Sequence, residues 1–177
     1  MKTTTYTVSQ KDENNIAVNY AESLSKMVRA FDKNPERYGK KTSIELRPNW
    51  VKLATEHAIF QQLVLDGLAS IEKIADADTT FADTAGDCFN PDICDMPADE
   101  LKRQERNARA RFNRLGCFGF SLQVKGLDTE SIWGFVGDDF YGSGYDSDFY
   151  YSAIADLETI EPAYIARLKQ VCRVLEL

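Results

Sequence analysis

The chain has 177 residues, 44% hydrophobic and 28% charged, a balance that suits one folded domain and excludes disordered and fibrous classes. With a net charge of -7, no run of the ~18 apolar residues a membrane span needs, and no signal-peptide core in MKTTTYTVSQKDENN, a cytoplasmic protein without a membrane partner is expected. Four cysteines, Cys88, Cys94, Cys117 and Cys172, are too few for a disulfide scaffold of this length and read as reduced thiols.

In chain order, TTYTV at 3–7 reads as a short strand. Ile16, Tyr20, Leu24, Met27 and Phe31 recur at intervals of three and four, which predicts a helix capped by Asn14 or Asn15 and ended by DKNPERYGKKT. SIELR reads as an extended piece before Pro48, where a long helix can begin because proline's missing N–H costs nothing in a first turn. Trp50, Leu53, His57, Phe60, Val64, Leu68 and Ile71 form one face, widened by Leu63, Leu65 and Ile74, so this helix is predicted from Asn49 to about Ala75. Gly67 is its weak point, costing about 1 kcal/mol relative to alanine.

Asp76 to Asp95 is small, turn-forming and acidic, and reads as a long loop. Pro97 opens a helix that runs to about Arg114 and stops at Gly116. CFGFSLQV and SIWGFVG, joined by KGLDTE, read as an antiparallel hairpin, and DDFYGSGYDSD as the turn after it. DFYYSAIADLETI is a helix with an acidic start. Pro162 opens the last one, whose face is Ile165, Leu168, Cys172 and Leu175. The expected fold class is α+β, with several helices packed on a small antiparallel sheet that includes a hairpin in the C-terminal half. It forms a single domain over 1–177 with a long acidic loop at about 76–96.

Charge is distributed in blocks. Residues 1–75 carry +2, residues 76–100 carry -8 with no base, residues 101–125 carry +6, and residues 126–177 carry -7. This pattern bears on each chemistry the residues could support. A cysteine nucleophile wants a histidine, and the single one, His57, lies on an apolar helical stripe, while Cys88 and Cys94 sit among carboxylates that raise a thiol pKa. Zinc would lack both a C-x-x-C knuckle and histidines. Asp138, Asp139, Asp146 and Asp148 lack the EF-hand spacing, and a cap on the following helix accounts better for Asp146 or Asp148. Gly137, Gly142 and Gly144 match no phosphate-loop pattern. No catalytic residue, cofactor or metal is therefore assigned.

KRQERNARARFNR places Arg103, Arg106 or Arg109, and Arg114 on a shared side, but the flanking acidic blocks weigh against direct nucleic-acid binding and favour internal pairing. What remains is an acidic, aromatic surface. From Gly126 to Ala166 there are nine acids and no Lys or Arg. Carboxylates on a rigid surface can occupy the positions where a basic groove expects phosphates, and Tyr141, Tyr145, Tyr150 and Tyr151 would supply anchors.

GDCFNPD at 86–92 and WGFVGDDFYGSGYD at 133–146, separated by the arginine-rich helix and GCFGF, resemble stretches of small acidic proteins carried by phages and plasmids. The resemblance implies a mobile-element setting, in which anti-CRISPR and antirestriction proteins inhibit host defence by occupying a nucleic-acid or partner surface. The expectation is a stoichiometric inhibitor of a bacterial protein or ribonucleoprotein defence complex. Asp138, Asp139, Asp146 and Asp148 would face its basic residues, Tyr141 and Tyr145 would anchor the contact, and Asp83, Asp87, Asp92 and Asp95 would form a second patch. The alternatives are a metal- or thiol-dependent enzyme and a regulatory subunit of a mobile-element protein. Homodimer formation is left open.

Overall fold

Reciprocal caps set the starts of the first two long helices. The structure, a computed structural model, describes residues 6–127 and 130–176, with Gly86 and Asp87 described by backbone alone. Helix α1 spans Gln10–Lys33: the Ser9 hydroxyl accepts from the Asp12 N–H while the Asp12 carboxylate accepts from the Ser9 N–H. Helix α2 spans Ser43–Leu65 and starts the same way, with Thr42 and Glu45 as the pair. Both starts lie earlier than expected. Asn14 and Asn15 are inside α1, and SIELR is the first turns of α2 rather than an extended piece. Pro48 is inside the helix, and the Ile44 carbonyl it leaves without an N–H partner belongs to an 83% exposed residue that water can satisfy. Residues 3–5 of the expected TTYTV strand lie outside the described residues, and Tyr6 and Thr7 are in no regular element.

The long helix also ends sooner than its apolar spacing suggests. Gly67 takes φ +68, a left-handed conformation that stops α2, and Ala69–Ala75 is strand β1. Within the expected acidic loop, Phe81–Ala85 forms helix α3 and Gly86–Phe89 a 3-10 turn. Helix α4 is Ala98–Leu115, closed by Gly116 at φ +76. Strands β2, Cys117–Val124, and β3, Glu130–Val136, form the hairpin, and the antiparallel sheet has the order β1-β2-β3. Helix α5, Tyr145–Ile160, begins three residues before the expected DFYYSAIADLETI, and α6 is Pro162–Leu175. The fold class is α+β, with the hairpin in the C-terminal half. No helix among the described residues is long and apolar enough to cross a membrane.

The chain groups into two compact units. The first, whose described residues are 6–70, 124–127 and 147–176, holds α1, α2, α5 and α6. Ile16, Trp50, Ala54, Ile59, Leu63, Ile154, Leu157, Ile165 and Leu168 are buried between α1, α2, α5 and α6. Gln62, 1% exposed, is held at its amide by Asp12 at 3.1 Å and by Asp66, which also accepts the Tyr164 hydroxyl. His57 lies with its ring 5.6 Å from that of Tyr150, which packs on Phe60 at 4.6 Å.

The second unit, Ile71–Gln123 with Asp128–Asp146, is built on the sheet. Phe118 pairs with Phe135 and Phe120 with Ile132, so two residues of β3, Trp133 and Gly134, oppose Gly119 alone. Gly134 adopts φ +94 in this bulge. The Trp133 ring lies directly over Gly119, where a Cβ would meet it at 2.2 Å. Phe81 packs against Phe89 and Phe112, with the Arg109 guanidinium 4.5 Å above its ring.

Candidate functional site

The turn that follows β3 is the most elaborated part of the second unit's surface. Phe140, fully buried, stacks on Phe120 at 4.3 Å with the rings 10° from parallel, and Phe135 meets both edge-on. Tyr141 stands T-shaped against Phe120 and Phe140, and Tyr145 against Phe135. Each tyrosine is nevertheless 49% exposed. The backbone between them is fixed locally: Gly142 and Gly144 take φ +85 and +99, and the Asp146 carboxylate accepts both of their N–H groups at 2.9 and 3.3 Å. The Ser143 hydroxyl donates to the Phe140 carbonyl and accepts from the Tyr145 N–H.

The acids of this turn are engaged within the chain. Asp138 receives the Lys73 ammonium at 2.7 Å, and Lys73 itself lies 4.0 Å over the Phe118 ring. Asp139 accepts both guanidinium nitrogens of Arg111 at 2.5 Å, and that hydrogen bonding holds its carboxyl below the usual range. Burial, and then the Asp138 charge, push the Tyr141 phenol up, so it stays a neutral donor at physiological pH. Asp138 remains 74% exposed at its side chain and Asp139 47%, so both pairs are open to water and to a competing partner.

Asp138, Asp139, Tyr141, Tyr145 and Asp146 thus share one turn. Asp146 takes up N–H groups of the turn just before α5, not those of the helix that a cap would satisfy. Asp148 is exposed in the helical unit, where its charge adds to burial in raising the Glu56 carboxyl. Asp83 is used in the start of α3, exchanging hydrogen bonds with Thr80. Asp92 and Asp95 are exposed and joined to the turn by no hydrogen bond or ion pair among the described residues; the Asp87 side chain lies outside them. Of the other tyrosines, Tyr151 is 59% exposed, whereas Tyr150 is 7% exposed and belongs to the core, because α5 turns it onto Phe60.

Lys73, Arg111 and the Phe120, Phe135 and Phe140 stack complete the site. Nothing in the spacing of the sequence singles out Lys73 or Arg111, since their partners lie 65 and 28 residues away. Phe120 could have been found from the hairpin, whose alternation puts Phe118, Phe120 and Leu122 on one face, whereas Phe140 lies in the turn after it.

The helical unit contains a cleft of about 530 Å³ between α2, α5 and α6, edged by Lys52, Glu56, Tyr151, Glu158, Lys169 and Arg173. Cys172 lines its floor, and burial pushes that thiol up to about 12, which leaves it un-ionised at neutral pH. Among the described residues no group of three or more His, Cys, Asp or Glu is placed to hold a metal ion. No protein family, curated protein or solved structure matches this chain. The fold and the turn define an α+β protein with a rigid, half-exposed aromatic knuckle flanked by ion-paired acids.

Proposed function

We propose that this protein is a stoichiometric inhibitor from a mobile element, which binds a bacterial nucleic-acid-binding defence complex through the Asp138–Asp146 turn. The observation that carries the reading is the pair Tyr141 and Tyr145, each half exposed and each braced on buried phenylalanines. Aromatic anchors already held in place lose little side-chain freedom on binding, and tyrosine is among the residues that dominate interface energetics. The mobile-element setting rests on the resemblance of residues 86–92 and 133–146.

Asp138 and Asp139 act second in this scheme. A basic groove can take them over from Lys73 and Arg111, but it gains only the difference between two ion pairs, so the tyrosines carry affinity and the acids carry salt dependence. The test is capture from a bacterial lysate that contains CRISPR and restriction systems, followed by affinity measurement on the captured complex. Tyr141→Ala with Tyr145→Ala should weaken binding by at least about 100-fold, whereas Asp138→Asn should weaken it by less than about tenfold while flattening its salt dependence. Retention of full affinity by the double tyrosine variant would overturn the proposal, as would failure to capture any nucleic-acid-binding complex.

A further inference from the structure

We infer that the outward face of α4 is a binding site for a nucleic-acid phosphate backbone. The helix buries only Leu101, with Glu105, Ala108 and Phe112 half-buried on the same side. At about 100° per residue, Lys102, Arg103, Arg106 and Arg114 fall within an arc of roughly 120° on the opposite side, together with Asn113, and Arg109 lies at its edge, toward Glu105. All six of these residues are exposed. Of the acids in α4, Asp99 lies on this face in the first turn, Glu100 beside it and Glu105 on the inner side, so from Leu101 onward the face carries no acid.

The sequence favours internal pairing of these arginines, and the structure divides them into two sets. Arg103 pairs with Glu100, Arg109 with Glu105 and Arg111 with Asp139. Lys102, Arg106 and Arg114 form no ion pair among the described residues. These three span about 18 Å along the helix axis at 1.5 Å per residue, a length over which one DNA strand presents about five phosphates at 3.4 Å each.

A polyanion fits this face better than an acidic protein does. Protein interfaces are anchored by buried aromatic or aliphatic side chains, and this face offers only Ala110 among its cations and asparagines. Phosphate contacts need charge and donors in a row, which arginine forks and asparagine amides provide. The chain's net charge of -7 opposes the encounter, so binding should be confined to this helix and acutely sensitive to salt.

This inference does not rest on the proposed inhibitory function, because its test uses the purified full chain with no host complex. Fluorescence anisotropy of short labelled single- and double-stranded oligonucleotides at low salt should show binding. With three unpaired cations engaged, duplex affinity should fall about 500-fold per tenfold rise in salt. Arg106→Gln alone should reduce the log–log salt slope by about one. Lys102→Gln, Arg106→Gln and Arg114→Gln together should abolish binding with the circular dichroism unchanged, while Arg106→Lys and Arg114→Lys retain it. Absence of binding at low salt would overturn the inference. So would binding indifferent to the triple variant, or displacement of the oligonucleotide by polyglutamate at equal charge, since a site that prefers carboxylates is not a phosphate site.

Discussion

At the scale of single residues, the contact between Gly119 and Trp133 has the sharpest consequence. The ring occupies the space where any side chain at position 119 would begin, with three ring carbons within 2.6 Å of an added Cβ. Gly119→Ala must therefore push the indole off the sheet. Trp133 is already 50% exposed, so the ring can leave toward solvent and the cost should stay near 1–2 kcal/mol. Trp50 is 4% exposed and serves as an internal reference. Emission from Trp133 should shift to the red while that from Trp50 stays in place, and the denaturation midpoint should fall. An unshifted spectrum would mean that the indole does not lie on Gly119. The buried amide of Gln62 follows a related logic. At 1% exposure its nitrogen is satisfied because Asp12 and Asp66 both accept from it, while its oxygen has no hydrogen-bond partner among the described residues; Asp12 serves in addition as the reciprocal partner of the Ser9 cap of α1.

Among the elements, the boundary between α2 and β1 separates what the sequence discloses from what it hides. Leu68, Ile71 and Ile74 continue the three-and-four spacing of the helix before them, so apolar periodicity carries the helix to Ala75. The backbone stops at Leu65 instead, because Gly67 adopts φ +68 and the Leu68 N–H bonds back to the Leu63 carbonyl. The two readings predict opposite signs for one substitution. In a helix interior Gly67→Ala would stabilise the protein by about 1 kcal/mol, whereas at a left-handed residue it should destabilise by about that amount. A denaturant midpoint decides between them, and the structure requires it to fall. The hairpin was legible because its alternation is local and its bounds are set by Gly116 and Gly137. Both capping boxes were also present in the letters, as Ser9 with Asp12 and Thr42 with Glu45, but they precede the first strongly apolar positions and so lose to the periodicity. The tyrosines of the site were readable as an aromatic, glycine-rich turn. Its ion pairs were not, because Lys73 and Arg111 reach Asp138 and Asp139 only through the sheet and α4.

For the whole molecule, charge and stability part company as pH falls. The sequence pI is about 4.8, so near pH 5 the net charge that keeps copies apart vanishes. Folding should survive that point. Hydrogen bonds hold the carboxyls of Asp12, Glu45, Asp83, Glu100 and Asp139 below their ordinary values, which means the folded chain binds protons less readily than the unfolded one. The stability these groups contribute is fully present above the unfolded carboxylate range, around 4, and is lost only as pH drops through their lowered folded values. Glu56 has the opposite sign: burial raises its carboxyl, so folding gains as it protonates, which further delays acid unfolding. Association near the pI should therefore precede loss of structure. With Asp138 and Asp139 in ion pairs that stay open to solvent and Lys102, Arg106 and Arg114 unpaired among the described residues, the copies that meet there carry both signs of charge on open surfaces, and added salt should suppress their association. A titration from pH 7 to pH 3 that follows light scattering and far-ultraviolet circular dichroism on the same sample should show scattering rise near pH 5 with ellipticity intact, and ellipticity fall below about pH 4. If ellipticity were lost first, the hydrogen-bonded carboxylates would not be what holds the fold at acid pH.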